Sequence, residues 1–275
     1  MSASPPYYRL AVVSHDVASE VRINDVPVLR LPSGHVETVF DVNPYIQAGL
    51  NTLSLRVRRS EGSAALSPAS MCTVELGVLS SPQDDAPTAL AELRFANPAS
   101  SPTGFEDSPG FAGETPPIVD RGQLVATQAF EHDAPFAAWS WAQAPEIPNT
   151  EAVRADIVGT YRRLHALLAA RNVPTLLQAC EAQARDWQIA YGLPDLAAAQ
   201  RMLGIEQTLS DPAVSVEDFP ADALTMELLG GGRLVQVLDL EGKSPLRLTM
   251  ASDSGMVGRF NVVLYRQGSI WMVAR

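Results

Sequence analysis

The sequence predicts two parts in series: an antiparallel β-sandwich over residues 1–148, then an α+β part over residues 149–275 in which helices precede an antiparallel sheet. Three observations carry this. Short apolar/polar alternations with a period of two recur through the first half. After residue 149 the apolar spacing changes to that of helices. Near residue 224 it changes back to strands. A length of 275 residues suits two domains of ordinary size, and an apolar share of 46% is ample for a core in each.

Residues 7–14 open as a strand. Residues 20–31 alternate on either side of Asn24-Asp25, two residues that tolerate positive φ and so mark a hairpin. Val36–Val42 forms another strand, and in Asn51–Arg58 the residues Leu53, Leu55 and Val57 share one face. Met71–Leu79, Ala89–Phe95 and Gly122–Glu131 complete the set. Between the last two, residues 96–121 are rich in Pro, Gly and Ser and read as one long loop. Phe105 and Phe111 within it are either anchors that pack the loop down or exposed contacts.

The run from Phe40 to Val57 (FDVNPYIQAGLNTLSLRV) resembles a segment of galactose-binding-like jelly-roll domains. There a strand ends in a one-turn helix, a Gly-x-Asn turn follows and a core strand returns. Val21–Val28 is similar to the hairpin that precedes it. The resemblance covers residues 20–60 and implies a sandwich scaffold; it brings no sugar-binding residues to this sequence.

Trp139 and Trp141 alternate within 135–147, so an extended chain would point both to one side. They read as an aromatic platform for a ligand or as a hydrophobic clasp between the halves. Next, Thr150 caps a helix carried by Val153, Ile157, Tyr161, Leu164 and Leu168. A second helix is predicted from Pro174 to Tyr191 with Gly192 past its end, and a third from Asp195 to Leu209. Strands return at 224–229, 234–240, 246–250, 260–265 and 270–274, read as a meander. This order, ending in Ile-Trp-Met-Val, resembles the nuclear transport factor two-like cone fold, with Trp271 in its last strand. That resemblance implies a pocket between helices and sheet, in a family holding both enzymes and binders.

The net charge of −11 is uneven. Residues 1–148 hold 8 Lys+Arg against 17 Asp+Glu, and residues 149–275 hold 12 against 14. Such a field repels phosphate backbones and anionic lipid, so neither nucleic acid nor a membrane is expected as partner, and a basic protein is favoured. Lys243 is the only lysine. Cys72 and Cys180 lie in different halves, in apolar patterns where a free thiol behaves as a small hydrophobe. The start of the chain has no charged and apolar leader, which reads as a cytoplasmic protein, or a periplasmic one whose export signal has been removed.

No catalytic grouping emerges. His15, His35, His132 and His165 share no metal-ligand spacing, and no metal or cofactor is expected. His165 is the one best placed to face a pocket, against the plainer reading of a satisfied helix histidine. Gly230-Gly231-Gly232 joins two strands and so reads as a tight turn rather than a phosphate cradle. Asp186 and Asp239 are either pocket carboxylates or members of ion pairs. The composition therefore favours a non-catalytic protein-binding protein, in its specific form an immunity-type protein of a bacterial toxin or secretion system. A carbohydrate- or small-ligand-binding protein, and an enzyme with a pocket in the second half, are the alternatives.

Overall fold

Strict alternation in Tyr7–His15 buries Tyr8, Leu10, Val12 and Ser14 and leaves Arg9, Ala11 and Val13 partly exposed. In the computed structural model this strand (β1) is central to the first of two antiparallel sheets, ordered β4-β1-β6-β7, with β4 at Val36–Asp41, β6 at Met71–Leu79 and β7 at Thr88–Ala96. The second sheet is ordered β3-β2-β5-β9-β8, with β2 at Ala18–Ile23, β3 at Val26–Leu31, β5 at Gly49–Arg58, β8 at Ile118–Asp120 and β9 at Gln123–His132. The structure describes residues 5–58, 66–81, 84, 86–97, 118–120, 123–136, 138–220, 224–250 and 257–275. Two compact units divide between residues 137 and 138.

The first unit is the predicted β-sandwich. Polar links join its two buried faces: the Glu92 N–H donates to Gln128 Oε1 at 2.9 Å, and the Cys72 thiol lies 3.8 Å from Ser19 Oγ. The Asn24-Asp25 turn has φ of 53° and 61°, as the hairpin requires. Asn43–Tyr45 forms the expected single helical turn. The segment read as one loop to residue 121 contains a strand the sequence did not show, β8, which pairs with β9. Three residues are too few to display a period.

Two asparagines hold the turns of this unit together. Asn51, fully buried, accepts from the Gln47 N–H and donates to the carbonyls of Gln47 and Gly49. Asn24 donates to Asn51 Oδ1 and to the Tyr45 carbonyl, each at 2.8 Å, and accepts from Thr52 N–H. The β2–β3 hairpin is thereby fastened to the loop before β5.

In the second unit α1 spans Glu151–Ala169, with Thr150 Oγ1 accepting from Val153 N–H as the cap requires. The predicted second helix is two, α2 (Val173–Ala179) and α3 (Glu181–Tyr191), bent at Cys180, where ψ is 11°. Hydrogen bonds of the i to i−4 type continue on both sides of that residue, so apolar spacing is preserved and periodicity could not reveal the bend. The predicted third helix is likewise two, α4 (Leu196–Met202) and α5 (Ile205–Ser210), broken where Gly204 takes φ of 69°.

The returning strands form two sheets rather than one meander. One is ordered β11-β12-β15-β16 (Thr225–Leu229, Leu234–Leu238, Leu264–Gln267, Ile270–Val273). The other is β10-β13-β14 (Val214–Val216, Arg247–Met250, Val257–Arg259). Helices and sheets meet over Ile157, Leu164, Leu176, Val235, Val237 and Leu264. The fully buried Tyr161 hydroxyl accepts from Val237 N–H at 3.0 Å and donates to the Val262 carbonyl. Among the described residues no helix is long and apolar enough to cross a membrane.

Replacing Asn51 with Ala removes every partner its side chain supplies to Gln47, Gly49 and Asn24. Urea unfolding is expected to show a loss of about 1–3 kcal/mol, the cost of leaving buried groups unmade.

Candidate functional site

The tryptophan segment is turned rather than extended. The Ala142 N–H donates to the Trp139 carbonyl at 2.9 Å and the Ala144 N–H to that of Trp141 at 3.0 Å, so the alternation argument for a shared side does not apply. Both rings are buried, Trp139 at 1% and Trp141 at 4% exposure. The Arg275 guanidinium lies 5.7 Å from the Trp139 ring centroid, in cation–π range. Arg275 also donates to Asp186 Oδ2 at 3.0 Å, and Ser140 Oγ donates to Asp186 Oδ1 at 2.9 Å. Asp186 is thus a member of a buried ion pair, while its neighbour Arg185 turns away to Glu181. Burial raises the pKa of the Tyr265 hydroxyl beside this group, with Asp186 adding to the rise.

Trp141 also explains a glycine. A Cβ on Gly230, whose φ is 57°, would lie 3.1 Å from the Trp141 ring and as near to Leu234. Glycine there meets a packing need as well as a turn need.

His165 donates from Nε2 to the Glu217 carbonyl at 2.7 Å and packs edge-on against Phe219, with ring centroids 5.6 Å apart. It is half-buried and satisfied by main chain, the arrangement of a structural histidine. Phe105 and Phe111 lie outside the described residues. Cys72 and Cys180 are free and buried, and burial pushes the Cys180 thiol up to about 12, far from a reactive thiolate. Among the described residues no three metal-ligating side chains come together.

Asp239 follows β12 and organises the turn after it. Its Oδ1 accepts from the Glu241 and Lys243 N–H groups at 2.9 and 3.0 Å. Its Oδ2 accepts from Arg247 and Arg259, each at 2.8 Å. Burial opposes its charge, but the Lys243 N–H and the two guanidiniums prevail and hold the carboxyl below its ordinary value of 3.8. Both oxygens are fully used, so this carboxylate holds β13 and β14 to the turn instead of awaiting a proton.

Residues that the sequence did not single out lie on the outer faces of the sandwich. On the β4-β1-β6-β7 sheet, cross-strand pairing sets Val39, Ala11, Glu75 and Glu92 in one row and Glu37, Val13, Thr73 and Arg94 in the next. Asp41 and Arg9 pair at 3.3 Å beyond them. Four carboxylates thus surround a short apolar stripe against two guanidiniums, with Val39 57% exposed and Glu37 and Glu75 exposed.

On the β3-β2-β5-β9-β8 sheet the outward residues are mixed, with arginines around Glu20 and with Leu50 and Glu131 exposed on the same face. Arg30, Glu20 and Arg56 form one cross-strand row, with Arg22 and Arg58 beside it. Glu20 accepts from Arg22 Nε and Arg30 Nε, each at 2.5 Å, with Arg56 Nε at 4.0 Å. Burial works against its charge, but Arg30 and Arg22 hold its carboxyl below the ordinary value. The signal for this row was present as Glu20 and Arg22 at alternate positions of a hairpin strand. No family model matches this chain, and no curated protein or solved structure matches it.

Two outcomes follow from the buried groups. Replacing Trp139 with Ala is expected to cost about 3–5 kcal/mol in urea unfolding, as for an interior aromatic, where a surface ring would cost almost nothing. For Asp239, the lowered folded pKa means that its stabilisation is present above pH 3.8 and is lost as pH falls through the folded value. Wild type should therefore exceed Asp239→Asn by about 1–3 kcal/mol at pH 6. That gap should close below pH 3.8, measured by urea midpoints from pH 6 to pH 2.

Proposed function

We propose that this chain is a non-catalytic binding protein that captures a basic protein on the outer face of the β4-β1-β6-β7 sheet, in the specific role of an immunity-type protein that neutralises a bacterial toxin. One observation carries the reading: exposed Glu37 and Glu75 flank Val39, Ala11 and Val13, with Asp41 and Glu92 at the margins. An apolar centre within an acidic rim is the pattern that buries a dry patch on contact while steering a cationic partner during approach. The uneven charge of the chain, concentrated in the half that holds this face, supports the same choice. We take the two scaffolds to be galactose-binding-like and nuclear transport factor two-like. Neither assignment supplies a ligand, and the reading rests on the face.

The test is capture on the immobilised chain from a lysate of the source organism, followed by kinetics with the isolated partner. A basic protein is expected, with association falling steeply between 0.05 and 0.3 M salt as charges become screened. The Glu37→Lys/Glu75→Lys variant should slow association at least tenfold, and Arg58→Gln on the opposite sheet should leave it unchanged. An acidic partner, salt-indifferent binding, or full activity of the double variant would each sink the proposal. So would a thermal shift caused by a small molecule and indifferent to salt.

A further inference from the structure

A sheet ends where a strand has main-chain donors and acceptors left over, and β4 is such an end. In its ladder with β1 the Val42 N–H donates to the Tyr8 carbonyl, and the Asp16 N–H donates to that of Gly34. Antiparallel pairs alternate between bonded and unbonded, so the bonded positions of β4 are Val36, Thr38 and Phe40, opposite Ser14, Val12 and Leu10. The N–H and C=O groups of Glu37 and Val39 therefore point away from β1. Among the described residues β1 is the only strand beside β4. The side chains at the same two positions stand on the outer face, Glu37 exposed and Val39 at 57%.

The other long edges of the sandwich are interrupted. β3 carries Pro27, opposite Arg22 and one step from the pair that closes the hairpin, so its missing N–H falls on the open side. β7 gives the Glu92 N–H to Gln128. Charge then decides what β4 accepts. Arg9 and Arg94, the guanidiniums of this face, lie against Asp41 and Glu92, which leaves Glu37 as the charge of the open stretch. A strand laid about 4.8 Å beyond β4 would set one side chain opposite Glu37 and one opposite Val39. A cation at the first and an apolar group at the second stabilise such cross-strand pairs, and an acid opposite Glu37 destabilises them. An uncharged edge would invite any strand; a carboxylate on it restricts the choice.

We infer that β4 is the edge to which the partner adds a strand: an extended segment of a basic protein, with Lys or Arg opposite Glu37 and an apolar residue opposite Val39, bonded through the main chain of those two residues. This rests on the capture of a basic protein by the face described above, and adds which part of the partner is held and how. The probe is a synthetic octapeptide repeating Lys-Thr-Val-Thr, added at 50 mM salt and followed by amide hydrogen exchange. At saturation the Glu37 and Val39 N–H groups should exchange at least tenfold more slowly, with Thr38 and Phe40 unchanged. N-methylation at the Lys and Val positions, whose N–H groups would face β4, should abolish that protection, and N-methylation at the Thr positions should preserve it. A peptide with Glu in place of Lys should not bind. In the chain, Val39→Pro removes a donor from the open side and none from the β1 ladder. It should weaken peptide binding at least tenfold with the fold intact by circular dichroism, whereas Val39→Thr, which keeps the donor, should bind. The inference is overturned by absent protection, by undiminished binding of the peptide N-methylated at Lys and Val, or by undiminished binding to Val39→Pro. A basic protein captured as tightly by Val39→Pro as by wild type sinks the edge and leaves the face standing. Protection of the edge by the peptide where no basic protein is captured supports the edge and sinks the face.

Discussion

A carboxylate taken out of water stays ionised only where other donors replace its lost hydration, and much of this structure is arranged around that constraint. With Lys243 the only lysine, the donors are nearly all guanidiniums. Glu20 gathers three of them, Asp239 two and Asp186 one. Each group ties elements that backbone pairing alone would leave less firmly joined: the β2–β3 hairpin to β5, the turn after β12 to β13 and β14, and α3 to the strand end at Arg275. Guanidinium suits this because its planar fork engages several acceptors at fixed angles, where an ammonium offers a single strongly hydrated point.

The same constraint separates structural from available charge. A carboxylate whose oxygens are both used, as in Asp239, has a lowered pKa and little left to offer a ligand. Glu37 and Glu75 enter no such group among the described residues and remain exposed, so their field reaches outward. Which charges reach outward thus follows from how far each local group is internally paired, a property that the net charge of −11 conceals.

Much of the fold was legible because it rests on local pattern. Local alternation and turn residues marked eight strands of the sandwich, and Thr150 and Gly192 marked helix ends through their own backbone chemistry. What escaped was set by single residues or by partners distant in sequence. The bend at Cys180 leaves the apolar spacing intact. The division of the returning strands into two sheets depends on which strand finds which neighbour. The tryptophans illustrate the limit best: alternation placed Trp139 and Trp141 on one side of an extended chain, but the turn bonds at Ala142 and Ala144 bend it, and the rings go to Arg275 and Gly230.

The arginine row shows why candidate surfaces are harder to read than cores. A two-residue turn at Asn24-Asp25 would set Glu20 opposite Leu29 and Arg30 opposite the buried Ser19. The observed pairing shifts between Val21 and Arg22, so that one extra residue of β3 is taken up and Glu20 faces Arg30 instead. A bulge of this kind costs one ladder position and changes which side chains face one another beyond it. Here it brings Arg30 onto the face that holds Glu20 and Arg22, while the unbroken β2–β5 register sets Arg56 opposite Glu20. Core positions tolerate no such ambiguity, because a slip of one residue would turn apolar side chains to solvent. Outer faces carry no equivalent penalty, so their chemistry is decided by register, which the pattern of polar residues alone does not specify.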